Sequence, residues 1–285
     1  MLSPEDLDAL WDYGDPAGSE TRFRERLPAA AGQSIELQLL TQIARAQGLQ
    51  RRFDDAHATL DGVRSRLGTA DGLTRARYLL ERGRVLNSSG RRAEAMLFFH
   101  DALIEATAAD APFYAVDAAH MLAIAASDPK EQLDWNLRAL AMAAESGDLR
   151  TRRWRGALAN NIGWTYHTAG DNGQALAYLR QALDYRLEDG PESAVLAARW
   201  GVARVLRDAG QVEEALAGQQ ALLAETEASG KPDGYVHEEL GECLLRLGRE
   251  EEARPHFRQA YRLLSRDAWL VAEEPARLER LQRLG

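Results

Sequence analysis

What most constrains this chain is a residue pattern that returns about every forty positions. In ANNIGWTYHTAGDNGQALAYLRQAL, Ile162 and Gly163 are followed by Tyr166, Gly170, Ala175, Leu179 and Ala182. The same spacing recurs as Val202, Ala203, Leu206, Gly210, Ala215, Gln219 and Leu222, and again as Leu240, Gly241, Leu244, Gly248, Ala253, Phe257 and Ala260. Upstream it runs Gly83, Leu86, Gly90, Ala95, Phe99 and Ala102, with a degraded copy at Ile43, Ala44, Ala56, Leu60 and Val63. A weak copy in between carries Trp135, Ala139 and Leu140, with Gln132 where the others have alanine. The anchors 56, 95, 132, 175, 215 and 253 lie 39, 37, 43, 40 and 38 residues apart. Such a period marks stacked helix-turn-helix units, each burying its apolar face on the next.

The residue types fit that reading. Gly163 or Gly241 on a first helix and Ala175 or Ala253 on a second are small where antiparallel helices approach closely. Tyr166, Leu179, Leu244 and Phe257 fill the space beside the contact. Gly90, Gly170, Gly210 and Gly248 fall just past the first helices, where a left-handed cap is wanted. Alanine, the best helix former, supplies 49 residues. No Asn-Gly or Asp-Gly pair joins two alternating segments, so no hairpin is expected.

The pattern resembles the tetratricopeptide repeat, with a small residue and a tyrosine on the first helix and Ala-x-x-x-Phe-x-x-Ala on the second. The resemblance covers about residues 36 to 265. The period exceeds the family's roughly 34 residues, as in the longer variants of kinesin light chains. The resemblance implies an all-α, right-handed α-solenoid of about six helix pairs. It also implies an interaction scaffold whose first helices line a concave face. The expected organisation is N-terminal capping helices over 1–34, the repeat array over 35–265 and a C-terminal capping helix over 266–285. The cap helices are placed at Pro4 to Tyr13, Ser19 to Leu27 and Glu273 to Leu284, with Pro255 near the first turn of its helix.

Composition narrows the function. A formal charge of −9 argues against nucleic acid as a partner. No segment is long and apolar enough for a membrane span, and the acidic start does not resemble a secretory signal. The single cysteine, Cys243, has no internal partner and is expected to be buried and inert. A cytoplasmic protein is expected, bacterial by its arginine-rich, lysine-poor coding bias. No phosphate loop, HExxH or Gly-x-Ser-x-Gly occurs, so no catalytic residue, metal or cofactor is assigned.

The resemblance places Arg77, Leu80, Arg84 and Asn87, then Tyr114, Asp117, Met121 and Ile124, on the inner face. They are followed by Ala157, Asn160, Trp164 and His167, then Ala197, Trp200, Arg204 and Arg207, then Tyr235, Glu238, Glu242 and Leu245. Arg45 and Arg153 are expected beside them, giving a groove basic in the middle and acidic toward the C-terminus. The alternative for Trp164, Trp200 and Tyr235 is packing against the next repeat. Asn160 and Asn161 supply the amides of the family's terminal-carboxylate clamp, but its lysines are missing, since Lys130 and Lys231 lie outside the first helices. The preferred ligand is a peptide or partner protein combining an acidic group with an aromatic or apolar one. A second reading is a small-molecule sensor or enzyme using His120, Asp117, Asn160 and His167. A third is self-association through uncapped edges.

Overall fold

The computed structural model describes residues 4–285, so the start of the expected N-terminal cap, residues 1–3, lies outside it. The described chain is all-α. It forms two compact units, the first ending at Trp154 and the second spanning Arg155–Gly285.

In unit 1, α1 (Pro4–Asp8) and α2 (Pro16–Ala30) precede three helix pairs. These are α3 (Ser34–Leu49) with α4 (Phe53–Arg64), α5 (Gly72–Ser88) with α6 (Arg92–Ala108), and α7 (Pro112–Ala125) with α8 (Pro129–Glu145); the short α9 (Leu149–Arg152) follows. Partners within each pair pack together, and α3, α5 and α7 lie side by side in succession. Leu7 and Phe23 form one buried cluster with Ile35, Leu39 and Ile43, so α1 and α2 cover the apolar edge of the first repeat.

Unit 2 continues with α10 (Trp154–Thr168, whose first residue closes unit 1), α11 (Asn172–Asp189), α12 (Glu192–Asp208), α13 (Val212–Ala228), α14 (Gly234–Arg246) and α15 (Glu250–Leu264). Two short helices finish it, α16 (Ala268–Glu273) and α17 (Pro275–Leu284). The expected single helix over Glu273 to Leu284 is thus broken before Pro275, which starts α17 because it lacks an N–H to continue α16. Leu278 and Leu281 of α17 are buried against the same core as Phe257. Pro255 sits at the sixth residue of α15, in its second turn.

Aspartates start many of the helices. Asp71, Asp171 and Asp233 each accept a hydrogen bond from a backbone N–H in the following turn. Within pairs, the small-against-large contact is present as expected. A Cβ on Gly83 would lie 2.4 Å from the Phe99 ring, one on Gly163 2.7 Å from Leu179 Cγ, and one on Gly241 2.7 Å from the Phe257 ring. Phe99, Leu179 and Phe257 are completely or almost completely buried.

The third pair breaks this rule in a compensated way. Sixteen residues separate the contact partners in the Gly83, Gly163 and Gly241 pairs, and the same spacing puts His120 in the small position of the third pair and Asn136 in the large one. The bulky side has moved to the first helix, and Asn136 is buried there at 6% exposure. Gln132, the odd anchor, donates its amide to the Ala126 carbonyl at 2.9 Å and so satisfies the end of α7.

The glycine at position 170 has φ +83°, as its cap role demands. In the first pair the equivalent residue is Arg51, held at φ +62°. An L side chain in this region is strained by about 1 kcal/mol. Arg51→Gly is therefore expected to stabilise unit 1 by about 0.5–1 kcal/mol, and Gly170→Ala to destabilise by a similar amount. Gly163→Leu should cost about 1–3 kcal/mol by overpacking Leu179. Chemical denaturation of the three variants measures all of these. A parental midpoint for Gly163→Leu would refute the register.

Candidate functional site

Most of the unit 1 positions expected on the inner face, though not Leu80 or Asn87, line a cavity of about 530 Å³. The helical period brings Arg77, Glu81 and Arg84 of α5 onto one face, and Tyr114, Asp117, Met121 and Ile124 of α7 onto the next. Gln42 and Arg45 of α3 complete the floor. Leu80, expected on this face, belongs instead to the core at 1% exposure.

Four arginines (Arg45, Arg77, Arg84, Arg150) line the cavity against three carboxylates (Asp8, Glu81, Asp117). Arg84 is gripped from both sides: Nη1 donates to Glu81 at 2.7 Å, and Nη2 to Asp117 at 2.5 and 2.6 Å. Burial alone would raise the Asp117 pKa, but the facing charges of Arg84 and Arg45 outweigh it and hold the carboxyl below its ordinary value. Arg45 lies 3.7 Å from Glu81 and stacks over Trp11 and Tyr13. Arg150 pairs with Asp8 and sits 3.5 Å over the Phe113 ring.

Arg77 differs from the other three. It is 2% exposed, donates to the Tyr114 hydroxyl at 2.6 Å, and leaves its Nε–H without a partner. Among the described residues no carboxylate pairs with it. His120 also borders the cavity, beside the Trp154 ring, and burial pushes its imidazole below the ordinary pKa toward the neutral form.

Sequence reasoning missed the rim of this cavity. Asp8, Trp11 and Tyr13 belong to the segment read only as a cap, yet Trp11 donates to Gln42 at 3.0 Å and stacks on Tyr13. The available signal was two aromatics just ahead of the Gly14-Asp15-Pro16 turn. Arg153, expected on the inner face, is an exposed residue at the joint between α9 and α10; Arg150 of the same run lines the cavity instead.

In unit 2 the first helices carry an aromatic ladder. Trp164 and Trp200 are 6.1 Å apart, and Trp200 and Tyr235 6.2 Å. The Trp200 indole donates to the Tyr235 carbonyl at 3.2 Å, and a Cβ on Gly201 would lie 3.3 Å from the Trp164 ring. These rings therefore pack on the next repeat while staying partly exposed. Between α12 and α14, Trp200 and Tyr235 border a mostly apolar hollow of about 400 Å³, lined also by Leu196, Ala197 and Val236 and by the charged Glu192, Lys231 and Asp233. Arg204 stacks over Trp200 and lies 3.3 Å from Glu239.

The expected acidic end is neutralised internally. Glu238 is held by Arg277 at 2.6 Å and Glu242 by Arg280, both from α17. Arg207, 8% exposed, donates to Glu239 at 2.9 Å. The cap helix thus brings its own cations to the last repeat, which corrects the polarised groove. His167 is bonded to Asp208 at 3.0 Å and packs edge-on to Trp164. Asn160 and Asn161 are half-buried in the middle of α10. The set His120, Asp117, Asn160 and His167 is divided between the two units, with Asp117 engaged by Arg84 and His167 by Asp208. Among the described residues no cluster of three or more His, Cys, Asp or Glu side chains is arranged to hold a metal, and no helix is long and apolar enough to cross a membrane.

No curated protein matches the sequence. Solved structures do match the fold. RapI in its apo form is similar over 93% of this chain and 77% of its own, with TM-score 0.69 at 10% identity. BtubC from P. vanneervenii covers 78% of this chain and 94% of its own, with TM-score 0.63 at 16% identity. NprR in complex with its cognate peptide NprX covers 98% and 82%, with TM-score 0.55 at 15% identity. The tetratricopeptide repeat model matches residues 157–189 and 235–263, which are the helix pairs α10–α11 and α14–α15. With the helix pairs, their small-against-large contacts and these matches in agreement, the chain carries tetratricopeptide repeats at α10–α11 and α14–α15 within a fold of stacked helix pairs.

Proposed function

We propose that the chain is a non-catalytic scaffold, cytoplasmic and bacterial, whose unit 2 inner face holds a peptide or a segment of a partner protein. The ligand combines an apolar or aromatic side chain with an acidic group. The observation that carries this reading is the partly exposed Trp200–Tyr235 pair bordering a mostly apolar hollow, with the Arg204 guanidinium stacked over Trp200. A rigid indole next to a guanidinium is a common anchor of binding surfaces. The NprR structure, of similar fold, contains a bound peptide, which supports a peptide as the ligand class. Cys243 fits a structural role, because burial and the neighbouring Glu239 push its thiol up to about 12. Nucleic acid is disfavoured by the charge of −9.

Partners captured from native extract give the material for the test. Trp200→Ala or Arg204→Ala should each weaken binding by about 2 kcal/mol, the loss typical of a hot spot. Trp200 also joins two repeats, so Ala197→Trp serves as a second variant: it fills the exposed hollow and leaves the ladder intact. Calorimetry on all three, with stability measured in parallel, is the check. Affinity should fall with added salt, since the arginine contribution is electrostatic. Unchanged affinity in all three variants would move the binding surface elsewhere.

A further inference from the structure

The unit 1 cavity holds a feature that folding alone does not explain. A buried guanidinium is costly unless a carboxylate or several hydrogen bonds compensate it. Arg84 has two carboxylates, and Arg150 has Asp8 and an aromatic ring. Arg77, the most enclosed of the four at 2% exposure, has a phenol hydroxyl, the Tyr114 ring and an unused Nε–H. The lining carries four arginines against three carboxylates, one positive charge in excess. His120 does not add to it, because burial favours its neutral form. The cavity is therefore complementary to a monoanion.

Its size and walls specify that anion further. A volume of about 530 Å³ lies within the range of small-molecule sites, about 300–1,000 Å³. Aromatic rings stand on two sides: Trp11 stacked on Tyr13 at the rim, and Phe113 with Trp154 beside Tyr114. Tyr114, already accepting from Arg77, retains its own O–H to donate. We propose that this cavity is a binding site for a small aromatic monocarboxylate, its carboxylate held by the Arg77 guanidinium and the Tyr114 hydroxyl and its ring packed among the aromatic walls. The planar fork of an arginine suits a carboxylate. The site is separate from the unit 2 face, and either assignment can fail without the other.

The test uses the full chain with 3-phenylpropionate and 1-naphthylacetate as probes. Their neutral amides, acetate, sulfate and an acetylated tripeptide ending in phenylalanine are the controls. Calorimetry should show one molecule of aryl acid per chain, and thermal melting should rise with its concentration. The amides, acetate and sulfate should bind at least tenfold more weakly. Arg77→Met should reduce aryl-acid affinity by tenfold or more, since a hydrogen-bonded ion pair is lost. The same variant should leave the melting temperature of the free protein unchanged or higher, because it removes a buried charge with no carboxylate partner. A merely structural arginine would give a lower melting temperature. Tyr114→Phe, which deletes one hydroxyl, should weaken binding several-fold and keeps the test decisive if Arg77→Met does not fold. Absence of aryl-acid binding at about 1 mM, equal binding of acetate or sulfate, or undiminished affinity in both variants would overturn the proposal. Binding of the tripeptide without binding of the free acids would overturn it too, assigning the cavity to a peptide terminus.

Discussion

Everything in this molecule depends on how closely two antiparallel helices can approach within a pair. Where glycine or alanine faces a large side chain sixteen residues later, the backbones come close enough for that side chain to be fully enclosed. Gly83 with Phe99, Gly163 with Leu179 and Gly241 with Phe257 are the cleanest cases. Enclosing a Phe or Leu side chain contributes about 1.5–3 kcal/mol. The close approach also fixes which face of each first helix is left over. That remaining face recurs at intervals of 37 to 43 residues.

Charge is handled differently in the two units. In unit 2 the last first-helix carries Glu238, Glu239 and Glu242, and each is met by an arginine, two of them from α17. Capping and neutralisation are therefore one event: the helix whose Leu278 and Leu281 close the core also supplies Arg277 and Arg280. In unit 1 the accounting does not close. Arg84 is bound by two carboxylates, whereas Arg77 lies buried beside a phenol. This unbalanced buried cation is the observation on which the proposed anion site rests.

The irregular third pair belongs to the same unit. Exchanging small and large positions puts a histidine on α7 where the other first helices have glycine or alanine. This widens the chemistry available at the cavity wall, since His120 borders it beside Trp154. A departure from the repeat consensus at a cavity wall is where strict packing rules are expected to yield to function.

The sequence by itself determined the helix pairs, their period, the close-contact residues and the cap glycines, because these are local: spacing, side-chain size and backbone freedom act within one repeat. It also placed Arg77, Arg84, Tyr114 and Asp117 on one surface, since helical periodicity decides which residues share a face. Only the tertiary structure decided which of those side chains are already engaged. Ion pairs such as Arg84–Asp117, Arg207–Glu239 and Arg277–Glu238 join residues more than thirty positions apart. Trp11 and Tyr13 reach the rim of the cavity from a segment whose composition suggested nothing beyond a cap. Such partnerships depend on the distances between helices from different repeats, and periodicity within a helix carries no information about those distances.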